Sequence, residues 1–368
     1  RPPDRARHPD AVTATTMARE GFFAPTVATL STPARRYTLV DDEVLRVGPE
    51  GESPLPGPLG VTVDGEGVRI GGALLPTMVV DSSQVFDRNR GVLESGTLAG
   101  KHVLIVGLGS GGSSIALDLA KSGVGRFTLV DMDRLETHNV GRHACDLGDL
   151  GRRKTLAVRD LLYRRNPAAV IDTLDVDILD MPEEGLAALI ESSDLVVVAT
   201  DSNASRFRLN RLAVQTRTPA VFGRAYLRAC GGDALRVRAD GPCYSCMVSE
   251  RIVSEEVTAG TAPAYSDRPL EVQPGLAVDI APISWMCTRL ALQALLGAPE
   301  QDGDLRADLY IWANRREHQF SRWEPMDFSV KRMTVNRWYG VRMARRADCP
   351  VCNEEAFLAD LEGLLADA

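Results

Sequence analysis

The sequence predicts an α/β protein with a Rossmann-like, doubly wound and mostly parallel sheet, and three stretches carry that prediction. Residues 102–106 (HVLIV) are an apolar run of the kind a parallel strand buried on both faces needs, and they lead into Gly107-Leu108-Gly109-Ser110-Gly111-Gly112, a GxGxxG loop. A helical pattern with Ile115, Leu117, Leu119 and Ala120 comes next, stopped by Gly123 and Gly125, and residues 127–130 form a second buried run that ends in Asp131. Residues 194–201 (DLVVVATD) repeat the theme, a buried strand closing on Asp201. Strand, glycine loop, helix and acid-ended strand form a nucleotide-binding unit. The glycines let backbone approach phosphates, the helix N-terminus faces the anion, and the acid bonds a ribose hydroxyl.

Residues 1–35, at the start of the chain, are rich in Pro, Ala, Thr and Arg without a sustained period, and a flexible leader is expected there. Residues 36–84 change character: short runs at 37–40, 44–47, 61–63 and 68–70 alternate with polar breaks and predict a small β-rich module of two hairpins. The main domain is expected over 85–353. Within it, Leu156, Val158, Leu161 and Leu162 place a helix over 152–165 with Lys154 in its first turn. A lysine there opposes the helix dipole, a conflict that a phosphate lying between would ease.

Strands are expected at 169–174, 219–226 and 234–237, and residues 249–280, broken by Gly260, Pro263, Pro269 and Pro274, predict a long loop crossing the site. A helix is expected over 282–296 with Trp285, Leu290, Leu292 and Leu295, then strands within 307–345, and a short acidic helical tail over 354–368.

Composition narrows the function. The chain has 368 residues and a formal net charge of −8, which argues against a dedicated nucleic-acid binder, whose patch is normally basic. No apolar run is long enough to span a membrane and no secretory signal pattern is present, so a cytoplasmic enzyme is expected. The chain begins with Arg1, so a piece of a longer polypeptide is one expectation. Four of its seven cysteines fall in two CxxC pairs, Cys243/Cys246 and Cys349/Cys352. Four thiolates make a closed tetrahedral zinc site, structural because no coordination position stays open. Cys145, Cys230 and Cys287 stand in apolar contexts that suit buried thiols, with Cys230, before Gly231-Gly232, the weak candidate for a nucleophile.

The stretch after Asp131 separates this chain from a nicotinamide dehydrogenase. Asp131-Met-Asp133-Arg-Leu-Glu-Thr-His138-Asn139-Val140-Gly-Arg142-His143 places two acids, an amide and an arginine beside the phosphate loop, and no hydride-pocket motif is present. Cleaving ATP between its α- and β-phosphates needs donors on the departing pyrophosphate and an acid for Mg²⁺. This block resembles the E1-like (ThiF/MoeB-type) adenylating superfamily, in which DxDxVxxSNLxRQ stands after the glycine loop. Here His138, Val140 and His143 replace Ser, Leu and Gln, while both acids, Asn139 and Arg142 stand. The resemblance covers roughly residues 85–353 and includes the GxxK at Lys154, the TD at Asp201 and the paired CxxC.

It implies specific roles. Gly107, Gly109 and Gly112 would lie under the nucleotide, with Asp131 on the ribose and Asp133 beside it. Asn139 would orient phosphates, Arg142 and Lys154 would neutralise them, and Asp201 would hold Mg²⁺. Arg88 in FDRN, with Arg90 as fallback, would reach the ATP of a facing subunit, since family members of this size are commonly homodimers. The implied cofactors are ATP, Mg²⁺ and Zn²⁺, and the implied partner is a small ubiquitin-like or sulfur-carrier protein presented by its C-terminus. A ribosomal precursor peptide, with the 36–80 region as its clamp, is the alternative. A nicotinamide oxidoreductase and an inactive E1-like scaffold are weaker readings.

Overall fold

A computed structural model describes eight N-terminal strands between residues 12 and 81 and, beyond them, residues 82–89, 91, 95–166, 168–248, 274–297, 305–314, 335–355 and 358. Two antiparallel sheets come first. β1 (Val12–Thr16) lies between β2 (Thr26–Leu30) and β8 (Thr77–Asp81). β3 (Arg36–Asp41), β4 (Val44–Val47), β5 (Gly60–Asp64), β6 (Gly67–Ile70) and β7 (Ala73–Leu75) form a second sheet in the order β4-β3-β5-β6-β7. The two expected hairpins are therefore joined into one sheet by the β3–β5 pairing. The 1–35 stretch, read as a leader without regular structure, contributes β1 and β2. Their sequences, VTATT and TVATL, are β-branched at most positions, a preference that a search for buried apolar runs passes over.

The main sheet has eight strands: β9 (His102–Val106), β10 (Arg126–Val130), β11 (Val170–Leu174), β12 (Leu195–Val198), β13 (Ala220–Ala225), β14 (Gly231–Val237), β15 (Leu309–Ala313) and β16 (Arg337–Val341). Their order is β11-β10-β9-β12-β13-β14-β15-β16, parallel as far as β13 and antiparallel beyond. The chain winds outward from β9 through β10 to β11, then returns to the other side of β9 with β12. The switch point, where connections leave in opposite directions, therefore falls between β9 and β12, and ligands collect at the carboxyl ends of such a pair.

β9 is buried along its whole length, as its apolar run requires, and period-two alternation splits it between two cores. Val103 and Ile105 pack with α2 (Ser110–Ser122), α3 (Lys154–Tyr163) and the long C-terminal helix (Ala277–Leu296). Leu104 and Val106 face α4 (Glu183–Glu191), α5 (Asn203–Gln215) and the cysteine pairs. The short α1 (Ser95–Ala99) packs so close to Gly125 that a side-chain carbon there would lie 1.9 Å from the Ala99 carbonyl oxygen. α6 (Tyr244–Met247) is one turn that begins after Cys243 and contains Cys246, which makes the Ala277–Leu296 helix α7.

α7 starts at Ala277, five residues before the expected boundary, and holds Pro282 inside it. Proline removes the hydrogen bond that would reach the Val278 carbonyl and normally marks a helix start. Val278 is 71% exposed, so water can take the orphaned carbonyl and the helix continues through. Most of the expected crossing loop, residues 249–273, lies outside the described residues. Among the described residues no helix is long and apolar enough to cross a membrane.

Candidate active site

A cavity of about 600 Å³ opens at the switch point. It is lined by the glycine loop after β9, Asp131 and Asp133 after β10, Arg142, Lys154 at the start of α3, Asp201 after β12, and Tyr226 and Arg228 beyond β13. Six of the expected site residues thus meet in one volume, Gly107, Gly109, Asp131, Asp133, Arg142 and Lys154, with Asp201 facing them.

The three glycines serve three different purposes. Gly107 adopts φ +89°, the left-handed region, and a side-chain carbon there would lie 2.8 Å from the Ala199 backbone. Gly109 is at φ −69° with nothing within 4 Å of where a side chain would start, so its open side is the cradle. Gly112 is absent from the cavity wall, since a side-chain carbon there would lie 1.8 Å from the Gly107 carbonyl oxygen. It lets α2 pack on β9, as the third glycine of such loops does. Gly111 lines the cavity in its place, which the GxGxxG spacing does not indicate.

Two side chains clamp the loop at Leu108. Its N–H donates to Asp131 Oδ2 at 2.6 Å, and its carbonyl accepts from His143 Nε2 at 2.6 Å. Because His143 Nδ1 accepts from Cys145 N–H at 3.0 Å, the imidazole is neutral with its proton on Nε2. Burial pulls its pKa below the ordinary value, against the bond to Leu108, which raises it. His143 stands where the E1-like pattern has Gln, and either side chain can donate to a carbonyl while accepting an amide proton.

Asp131 Oδ1 also accepts from Asp133 N–H at 2.8 Å, so both carboxylate oxygens brace backbone. Burial raises its pKa, and the Lys154 ammonium opposes the rise. Asp133 keeps a half-exposed carboxylate that bonds Lys154 Nζ at 2.6 Å, and Lys154 lies 4.0 Å from Asp131. The cation that opposes the α3 dipole is therefore held by two acids from the end of β10.

Asp201 is exposed on the rim of the cavity and has no hydrogen-bond or ion-pair partner among the described residues. The N-cap of α5 is Ser202, whose side chain accepts from Ser205 N–H, so the Asp201 carboxylate is not consumed by capping. Asn139 sits outside the cavity wall, where its Oδ1 accepts from Glu136 N–H at 3.0 Å and caps a single 3₁₀ turn. Arg88 is exposed on the 3₁₀ helix Ser82–Asn89 and does not reach its own chain's cavity, and Arg90 lies outside the described residues.

Several wall residues carry no local sequence signal. Arg228 and Ala229 are consecutive non-glycine residues with φ +59° and +49°, strain of a kind found at functional sites. Arg224 and Tyr226 share the fully buried Asp233, which accepts from Arg224 Nη2 at 2.6 Å and from Tyr226 Oη at 2.7 Å. Burial pushes the Tyr226 phenol well above its ordinary pKa. Only the strand pairing of β13 with β14 brings these residues together.

On the far side of the core, the Sγ atoms of Cys243, Cys246, Cys349 and Cys352 all lie within 4.8 Å of one another. The pairs 243–349 and 246–352 are 3.6 and 3.3 Å apart, near the ~3.8 Å edge of a zinc–thiolate tetrahedron with ~2.3 Å bonds. The donor set fits zinc. The open side of Gly109, the free Asp201 carboxylate and the buried, partnerless Arg206 Nε in the wall likewise fit a magnesium-bound nucleotide. Cys230 is wholly buried, as are Cys145 and Cys287, and burial raises the Cys145 thiol to about 12. None has the exposure of a nucleophile.

Such a glycine-lined cavity at a doubly wound switch point, with a four-cysteine cluster on the far side of the core, defines the class as a nucleotide-binding α/β protein. Residues 86–328 match the ThiF family, and the chain belongs to it. It is 38% identical over 152 residues to the molybdopterin-synthase adenylyltransferase of Escherichia coli, covering 41% of this chain and 59% of that protein. It is 35% identical over 157 residues to the adenylyltransferase and sulfurtransferase MOCS3 of Anopheles gambiae, covering 42% and 35%. The chain thus spans less than two thirds of these two relatives. Similarity to the sulfur carrier protein adenylyltransferase of Thermus thermophilus is lower, 26% over 259 residues, but covers 69% of this chain and 82% of that one. Among solved structures, Escherichia coli MccB with ATP shares the fold, with a TM-score of 0.53 at 20% identity over 71% of this chain and 69% of that one. The resemblance to the E1-like superfamily read from the sequence is therefore borne out.

Proposed function

We propose that this protein is an ATP-dependent adenylyltransferase that activates the C-terminal carboxylate of a small ubiquitin-like or sulfur-carrier protein. The observation that carries the reading is the convergence of Arg142, Lys154 and the free Asp201 carboxylate on one glycine-lined cavity. The relatives named as adenylyltransferases support it.

A carboxylate oxygen of the partner would attack the α-phosphorus of ATP. The bond from that phosphorus to the oxygen bridging the β-phosphate breaks, its electron pair leaves with pyrophosphate, and the products are an acyl-adenylate and pyrophosphate. No general base is required, because a C-terminal carboxylate is already ionised at neutral pH. Rate then comes from positioning and charge neutralisation. Lys154 would exchange Asp133 for phosphate oxygens, Arg142 would share that charge, and the exposed Asp133 carboxylate would be freed toward the ribose. Asp201 would hold Mg²⁺, which supplies further charge neutralisation at the phosphates. Asn139 would act on the phosphates only by holding the 3₁₀ turn that precedes Arg142. Arg88, which does not reach its own cavity, would serve a facing subunit in a homodimer.

Labelled α-phosphate tests the partner. Transfer of label to a small protein ending in Gly-Gly is expected. Transfer only to a ribosomal precursor peptide would replace the carrier with the peptide, and label on neither would remove the reading.

A further inference from the structure

The four-cysteine cluster and the loop carrying Asp201 share a residue. Tyr244 stands between Cys243 and Cys246 and is fully buried. Its ring stacks on Phe222 at 4.9 Å and meets Phe207 edge-on at 5.3 Å, and its N–H donates to Asn210 Oδ1 at 2.8 Å. The ring can move little without displacing the packing around it. At its tip, Oη donates to Asn203 Oδ1 at 3.2 Å.

Asn203 opens α5 two residues after Asp201. Its Oδ1 also accepts from Arg206 Nη1 at 3.0 Å, and Arg206 Nη2 donates to the Thr200 carbonyl. The segment 200–203 is therefore tied on both sides of Asp201, by Arg206 to Thr200 and Asn203 and by Ser205 to Thr200 Oγ1 and the Ser202 carbonyl, and Asn203 Oδ1 is where this network meets Tyr244. Because Asp201 has no partner of its own among the described residues, this segment alone sets where its carboxylate points.

The geometry points to Tyr244 as a positioning residue through which metal in the four-cysteine cluster holds the Asp201 loop in its Mg²⁺-binding pose. Nucleotide affinity then depends on the metal state of a cluster that does not line the nucleotide cavity. The inference rests on the proposed role of Asp201 and adds a means of controlling it. Metal fixes the backbone of residues 243 and 246, and with it the one-turn helix that aims the phenol. Without metal, that turn loses two of its anchors, and a buried hydrogen bond of this kind is sensitive to small displacements.

Hydrogen exchange of residues 199–206 reads the coupling without nucleotide. Exchange there should quicken several-fold in Tyr244→Phe, which keeps the stacked ring and removes only Oη. Stripping zinc from the wild type should do the same, and stripping it from Tyr244→Phe should add little. In parallel, the Mg²⁺ concentration for half-maximal binding of a non-hydrolysable ATP analogue should rise on the order of tenfold in Tyr244→Phe, with zinc content unchanged. If Tyr244→Phe does not fold, Asn203→Ala removes the same bond from its other end together with the Arg206 Nη1 bond, and stripping zinc from Asn203→Ala should then add little to its exchange. Unchanged exchange in 199–206 after both the substitution and metal removal would overturn the coupling, whatever the nucleotide does. Altered exchange in a protein that binds no nucleotide would keep the coupling and remove the adenylation reading instead.

Discussion

Lys154 Nζ lies 2.6 Å from Asp133 Oδ2, at the first residue of α3, where a cation opposes the helix dipole. The lysine side chain is 9% exposed, so this is a largely buried charge held by an acid that is half in solvent. ATP phosphates would take the lysine and release the acid.

Lys154→Met should therefore abolish nucleotide binding and also destabilise the protein, because Asp131 and Asp133 are left without their cation. Losing one partner of a largely buried pair costs about 1–3 kcal/mol. Thermal unfolding and analogue binding check the two effects. Loss of binding with unchanged stability would show that the pair contributes nothing to the fold.

Asp201→Ala should behave in the opposite way. The side chain is exposed and bonds nothing among the described residues, so stability should stay within about 0.5 kcal/mol. The rate of adenylation should fall by at least about 10²-fold, since a metal-holding carboxylate is gone. Calorimetry and turnover read these separately, and wild-type turnover would take Asp201 out of the mechanism.

His143 gives the protein an acid-side weakness. Burial holds its folded-state pKa below the ordinary value of 6.5, so on acidification the unfolded chain takes up its proton first. Stability contributed by the neutral ring is complete above about pH 6.5 and is lost as pH falls through the window between the unfolded and folded pKa values. His143→Gln can keep the bond to the Leu108 carbonyl and the one from Cys145 N–H, and removes the titration. Its stability should decline less than the wild type's below about pH 6.5, and superimposable profiles would contradict the clamp.

The parts of this protein legible in its sequence are those in which chemistry and local structure coincide. The GxGxxG loop, the strands ending in Asp131 and Asp201, and the CxxC pairs can each be read within a few residues. Roles set by long-range pairing could not be read. Gly112 fits the loop pattern, yet its function is contact with Gly107 across the turn. His143 clamps a carbonyl 35 residues away, and Asp233 acquires Arg224 and Tyr226 only through strand register. The start of α7 was hidden because Pro282 looks like a first residue, and the exposure that makes it tolerable inside a helix is a tertiary fact.

The cysteine cluster joins residues 106 positions apart, so metal bound there would be folding free energy for the whole antiparallel half of the sheet. One zinc per chain is expected by elemental mass spectrometry, and its removal by chelation should lower the unfolding temperature by several degrees. Equal stability of the metal-free protein would contradict a structural site.

Exchange of labelled pyrophosphate into ATP tests the central claim most directly, because it occurs only if the α–β bond breaks reversibly with the acyl-adenylate held in the cavity. Exchange that requires Mg²⁺ and a partner bearing a free C-terminal carboxylate, and that disappears in Asp201→Ala, is the predicted result. No exchange with any carboxylate partner, alongside tight NAD(P) binding, would contradict it.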